Sequence, residues 1–176
     1  RLDDGWQDER TTESSFSSSC DTPLSNWLLD RPITSLVRNG VSGPGAKASE
    51  TQYFYDGNTT ACELTKGLVT ETKNWVDDSS YISAERKAYD EHGNPTHLYD
   101  PLYISNDKGH YREIIYDPTF FTFPIQEKIV VNSTRTLTMS ANYDFGFGTV
   151  LNSKDFNGHT THYGYDVFGR ITSITK

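Results

Sequence analysis

The chain has 176 residues, 34% of them hydrophobic and 13% aromatic, with 24 acidic and 16 basic side chains for a net charge of −8. That length allows one core, or a part of a larger repetitive structure. No segment gathers Lys and Arg into a stripe that could neutralise a phosphate backbone, which argues against nucleic acid and anionic membrane as partners. The most apolar runs, Trp27-Leu28-Leu29 and Ile129-Val130-Val131, fall far short of the roughly 20 residues that span a bilayer.

Residues 1–26 are rich in Ser, Thr and Asp, with Ser14, Ser15, Ser17, Ser18 and Ser19 close together, and show neither helical nor strand period. They read as an irregular lead-in. The chain opens on Arg1 with no basic-then-apolar leader, as an interior piece of a longer protein would. A short strand is expected around 33–38, and Gly40-Val41-Ser42-Gly43-Pro44-Gly45 then forces a loop. The Ser- and Gly-rich lead-in is taken to cover 1–50. Cys20 and Cys62 allow one disulfide closing a long loop or two free, partly buried thiols. The strand content favours free thiols, since such a chain does not need a staple. Asn58-Thr59-Thr60 and Asn132-Ser133-Thr134 match the glycosylation sequon, a tripeptide common by chance and given no weight.

From Thr51 onward the period is two. Leu137, Met139, Ala141 and Tyr143 alternate with Thr138, Ser140 and Asn142, which predicts a half-buried strand. The same alternation puts Ile125, Glu127, Ile129 and Val131 on one face, and Thr161, Tyr163 and Tyr165 on another. Turn sequences separate these runs: Glu91-His92-Gly93-Asn94-Pro95, Ser105-Asn106-Asp107-Lys108-Gly109 and Phe156-Asn157-Gly158. The dipeptide Tyr-Asp recurs at Tyr55-Asp56, Tyr89-Asp90, Tyr99-Asp100, Tyr116-Asp117, Tyr143-Asp144 and Tyr165-Asp166, and extends to Tyr-Asp-x-x-Gly at Gly93 and Gly169. The interval is 27 residues from Tyr89 to Tyr116 and again to Tyr143, 22 from there to Tyr165, and 34 from Tyr55 to Tyr89. Each interval fits two strands with their turns, so the expected fold is all-β, a ribbon of successive antiparallel hairpins over 51–176.

The residue types explain the motif. In Tyr165-Asp166-x-x-Gly169-Arg170 the carboxylate accepts the N–H two residues on, and Gly169 supplies a positive φ. The Tyr ring is expected to lie on the sheet with its hydroxyl at the wet edge, and the Arg170 stem to cover a neighbouring ring. Every role is architectural, and the spacing demands no nucleophile, base, metal ligand or cofactor.

The run Asp155-Phe156-Asn157-Gly158-His159-Thr160-Thr161-His162-Tyr163-Gly164-Tyr165-Asp166-Val167-Phe168-Gly169-Arg170-Ile171 resembles the repeat unit of the RHS, or YD-repeat, proteins nearly throughout. Tyr89 to Thr96 and Tyr116 to Pro124 are similar to the segment leading into the repeats in the B components of insecticidal toxin complexes and SpvB-type proteins. The resemblance covers about 51–176. It implies a ribbon that is part of a larger wound, shell-like sheet in a secreted or cell-surface protein, which in toxin complexes encloses a cytotoxic cargo. The implied partners are neighbouring repeats of a parent protein and toxin-complex subunits. The sequence departs from the unit at Tyr143-Asp144-Phe145-Gly146-Phe147-Gly148 and at Tyr55-Asp56-Gly57, so the resemblance does not imply lateral pairing at those two places.

Sharper chemistry has weaker support. His92, His97, His110, His159 and His162 are expected in or beside turns, where solvated histidines are commoner than metal ligands or acid switches. Asp3-Asp4 and Asp77-Asp78, with Trp75 and Tyr81 as a sugar platform, could serve a glycosidase, yet nothing fixes the separation of any pair. The expected role is therefore a non-enzymatic structural segment. The alternative is an extracellular module that recognises a glycan or a protein through exposed aromatic residues.

Overall fold

The structure is a computed structural model that describes residues 9–20, 27–40, 45–101 and 110–176. The expected turn at 105–109 and the pair Asp3-Asp4 lie outside the described residues, as does part of the Gly-rich loop at 40–45. The fold is all-β: successive strands β1 to β12 are hydrogen-bonded antiparallel neighbours in chain order. The chain divides into two compact units, residues 1–87 and 88–176.

The first unit is built on β1 (Arg10–Phe16), β2 (Pro32–Asn39), β3 (Lys47–Tyr55), β4 (Val69–Asp77) and most of β5 (Ser80–Tyr89). The strand expected around 33–38 is β2, but the lead-in expected to be irregular also supplies β1 and the start of β3. β1 has no apolar alternation because polar side chains occupy it. It is held by its register, Glu13 opposite Leu36 and Ser14 opposite Ser35, and by a 2.6 Å bond between the hydroxyls of Ser15 and Thr34. A strand whose partner supplies its order leaves no hydrophobic period to read.

The core lies where the strand ends meet the irregular segments. Ile33, Tyr55 and Leu64 are buried, with Cys20, Leu28, Tyr53, Ala61 and Val69 packed against them. Ser17 is buried beside this cluster, donating to the Leu28 carbonyl and accepting the Arg31 N–H at 3.2 Å. Cys20 and Cys62 form a disulfide, so the preference for free thiols is corrected. The strands did not remove the need for a staple, because half of this core, Cys20, Leu28, Ala61 and Leu64, comes from two segments outside the strands that no ladder holds. A cross-link spanning 42 residues restricts both loops in the unfolded chain.

The second unit continues through β6 (Pro95–Tyr99), β7 (Tyr111–Tyr116), β8 (Pro124–Asn132), β9 (Arg135–Asp144), β10 (Thr149–Lys154), β11 (Thr160–Tyr165) and β12 (Ile171–Thr175). Lateral pairing persists at both departing units: β9 pairs with β8 and β10, and β3 with β2 and β4. The alternation in β9 holds in part, with Leu137, Ala141 and Tyr143 half-buried and Thr138 and Asn142 exposed. Met139 reverses its expected place at 38% exposure. In β8 every residue from Ile125 to Val131 is half-buried, on both faces alike. Among the described residues of this unit no hydrophobic side chain is fully buried, and the one buried polar residue is Asp117. The unit is therefore held by ladder hydrogen bonds, by turns and by cross-strand pairs such as Lys128 Nζ with Glu113 Oε2 at 3.0 Å and Arg112 Nε with Glu127 Oε1 at 2.7 Å.

Candidate functional site

Five Tyr-Asp pairs stand where an odd-numbered strand turns into the next, at Asp56, Asp90, Asp117, Asp144 and Asp166. Because successive strands run antiparallel, the four of the second unit lie at the same end of its strands. Asp155 serves the opposite end, between β10 and β11.

Each carboxylate is consumed by its own turn. Asp166 Oδ1 accepts the N–H groups of Phe168 at 2.9 Å and Arg170 at 3.0 Å, while Oδ2 takes Arg170 Nε at 2.7 Å. Asp155 Oδ1 accepts from Asn157 and His159, both at 2.9 Å. Asp90 Oδ1 accepts from His92 and Asn94, and Oδ2 from the Asn94 carboxamide. In these three turns Gly93, Gly158 and Gly169 adopt φ of 86°, 87° and 76°, and their N–H groups close onto the Asp carbonyl. This is the expected Asp-and-Gly turn.

Two turns extend it. Asp117 is 1% exposed and gathers four donors, Thr119 and Phe120 on Oδ1 at 3.0 and 2.6 Å, Thr122 and Phe123 on Oδ2 at 3.0 and 2.9 Å. Burial alone would raise its pKa, but the N–H groups of Phe120, Phe123, Thr122 and Thr119 outweigh it and lower the value to about 2. Asp56, itself at φ 55°, does the same with Thr65, Lys66, Gly67 and Leu68, and its carboxyl also ends below the ordinary value despite burial. Asp144 accepts, among the described residues, from Gly146 and Phe147, at 2.8 and 3.0 Å, and Gly148 rather than a third-position glycine closes that turn.

Four of the tyrosine hydroxyls are bonded to a neighbouring strand, three of them part-buried and that of Tyr143 exposed, as expected of a wet edge. Tyr55 donates its hydroxyl to the Pro32 carbonyl at 2.7 Å, Tyr116 to Pro95 at 3.3 Å, Tyr143 to Pro124 at 3.2 Å and Tyr165 to Val150 at 2.8 Å. In each case the acceptor lies at the start of the neighbouring strand, so the ring clamps the open end of its hairpin. Tyr55 is fully buried, which pushes its pKa up to about 12. Tyr163 faces Ser153, their hydroxyls 3.4 Å apart. Tyr89 ends β5 beside the Asp90 turn.

Aromatic side chains join neighbouring turns of the second unit. His92 stacks on Phe121 at 4.2 Å, and Asn94 Nδ2 donates to the Phe121 carbonyl at 2.6 Å. Phe145 meets Phe120 at 5.2 Å and Phe123 at 5.3 Å, and a side chain at Gly169 would press on Phe147 at 3.2 Å. Phe147, Val167 and Phe168 stay largely exposed, at 62%, 81% and 75%. Sequence reasoning missed this row. The available signal was Phe in turns where Gly, Asn or Pro is ordinary.

The other candidates scatter. His97 and His162 lie within β6 and β11 rather than in turns, His97 grouped with the rings of Tyr99 and Tyr111, and His159 lies 3.4 Å from Asp155. Asp78 sits in the β4–β5 hairpin at φ 37°, where its carbonyl accepts the Trp75 indole N–H at 3.1 Å. Trp75 and Tyr81 do come together, but around Lys47.

No protein-family model and no curated protein matches the chain. Among solved structures it is similar to the crystal structure of TcdB2-TccC3, with a TM-score of 0.69 and 14% identity over 94% of this chain and 11% of that one. The crystal structure of TcdB2-TccC3-TEV is similar with a TM-score of 0.56 and 14% identity over 82% of this chain and 7% of that one. At such identity the likeness is one of fold, a ribbon of successive hairpins. This chain spans only a small part of either of those proteins.

Proposed function

We propose that the chain is a non-enzymatic wall segment of an RHS/YD-repeat shell, part of a secreted or surface toxin-type protein that encloses or presents a cargo. The observation that carries this reading is the use of the Tyr-Asp carboxylates: their described hydrogen bonds go to the chain's own turns, so the recurring motif builds hairpins. Fold likeness to TcdB2-TccC3 over 94% of the chain supports it, as does the unpacked sheet of the second unit, whose half-exposed faces call for neighbouring structure. The repeat region runs from 51 to 176 and its partners are neighbouring repeats and toxin-complex subunits. The disulfide suits an oxidising compartment. Electron microscopy of the parent protein tests the reading. Hairpins that continue laterally into a wall around other density are expected, and a free-standing module on a stalk overturns it.

The exposed row from Phe145 and Phe147 to Phe168 favours a second reading, recognition of a glycan or protein at the turn end of the second unit. A glycan array and a pull-down separate the two: saturable binding abolished by Phe147→Ser together with Phe168→Ser would favour recognition.

A further inference from the structure

Three strands of the first unit meet around one ammonium group. Lys47 Nζ lies 2.7 Å from Glu50 Oε2 and 3.3 Å from the Tyr81 hydroxyl. It stands 4.8 Å from the centroid of the Trp75 ring and 5.4 Å from that of Tyr81. The register explains the meeting. Val37 faces Ser49 and Arg38 faces Lys47, so Ala48 is a bulged residue that re-aims Lys47 onto the face that carries Glu50. Thr51 opposite Asn74 brings Glu50 beside Trp75, and Trp75 pairs directly with Tyr81.

The walls are held without the lysine. Gln52 Nε2 donates to the other Glu50 oxygen at 3.1 Å, and the Trp75 indole is fixed on the Asp78 carbonyl at 3.1 Å. Glu50 keeps 14% of its side-chain exposure and Lys47 24%, so the group is sheltered yet reachable. Two aromatic rings and a carboxylate around a cation are the elements that recognise quaternary ammonium ligands. Both ring distances sit within the roughly 6 Å range of that attraction.

We propose that Glu50, Trp75 and Tyr81 form a binding site for a trimethylammonium group, with Lys47 as its resident plug. A trimethylammonium makes no hydrogen bonds, so it gives up less hydration than Lys47 on entering, and it presents methyl groups to both rings. Lys47 reaches the site on a flexible four-carbon stem from the first residue of β3 and can leave without disturbing the ladder. Only molecules whose lysine has left can bind, which weakens the apparent affinity by that fraction.

Titration of the isotope-labelled protein with choline chloride, followed at the Trp75 indole N–H resonance, tests this. A saturable shift is expected there and at the backbone amides of Glu50 and Tyr81, with binding tightened roughly tenfold in Lys47→Ala; in Trp75→Leu, read at the Glu50 and Tyr81 amides, it is lost. Phosphatidylcholine vesicles in a parallel arm distinguish a lipid headgroup from the free ion: co-sedimentation that requires Trp75 assigns the former, and binding of choline alone the latter. A natively folded Lys47→Ala protein that responds to choline no differently than to sodium chloride overturns the proposal. Should Lys47→Ala fail to fold, the wild-type titration decides, since a Trp75 resonance indifferent to choline up to saturation of the solution also overturns it.

Discussion

Asp117 shows how one side chain can organise a turn. Seven residues from Asp117 to Phe123 contain no glycine, yet four of their N–H groups converge on one buried carboxylate. The folded pKa of about 2 lies below the ordinary 3.8, so the folded state binds fewer protons in that window. The stabilisation is complete above about pH 4–5 and is lost as pH falls through about 2. Asp117→Asn is expected to melt several degrees below the wild type at pH 7, with the two converging near pH 2; parallel melts at both pH values measure this. At Gly169 an added methyl group meets both φ 76° and a 3.2 Å approach to Phe147. Gly169→Ala should cost about 1 kcal/mol or more in denaturant unfolding. Tyr55→Phe leaves the Pro32 carbonyl without its hydroxyl donor, at a cost of about 1–2 kcal/mol in the same assay. The Asp and Gly roles were legible because they depend on residues two to four apart. The hydroxyl's acceptor was not, since it lies 15 to 23 residues away.

Hairpins are joined at the scale of elements by more than their ladders. Phe121 has φ 54°, where a bulky side chain is unfavourable, and the stack with His92 together with the Asn94 bond to its carbonyl holds it there. Phe145 contacts the rings of two residues from the preceding turn. Phe145→Leu is expected to destabilise the second unit by about 1 kcal/mol, read as earlier loss of amide protection in β9 and β10 on hydrogen exchange. The period of two in β9 and the turn residues around Asp155 were readable because both follow from local backbone geometry. β1 was not readable, because Thr11, Thr12, Ser14 and Ser15 carry no period and acquire strand structure from β2. The bulge at Ala48 was equally hidden, since it appears only when two strands are set in register.

On the scale of the whole molecule, the disulfide and the uncovered strand edge govern behaviour. By the chain-entropy account, a link across 42 residues contributes about 4 kcal/mol to the first unit, so Cys20→Ser or reduction should lower its melting temperature sharply while leaving β11 and β12 protected. Among the described residues β12 pairs only with β11; it is exposed along its whole length and carries no charge, with Ile171 and Ile174 at 58% and 60% exposure. Such an edge invites another strand, and concentration-dependent association by light scattering is expected, suppressed by Ile174→Lys. The sequence by itself determined the all-β character of the chain, the Tyr-Asp turns and their recurrence, because strand-forming composition and turn chemistry are set within a few residues. Only the tertiary structure decided that Cys20 meets Cys62, that the tyrosines clamp neighbouring strands, and that Lys47 lies between Trp75 and Tyr81. Those contacts depend on register and bulges, which bring distant residues together according to the pairing of whole strands.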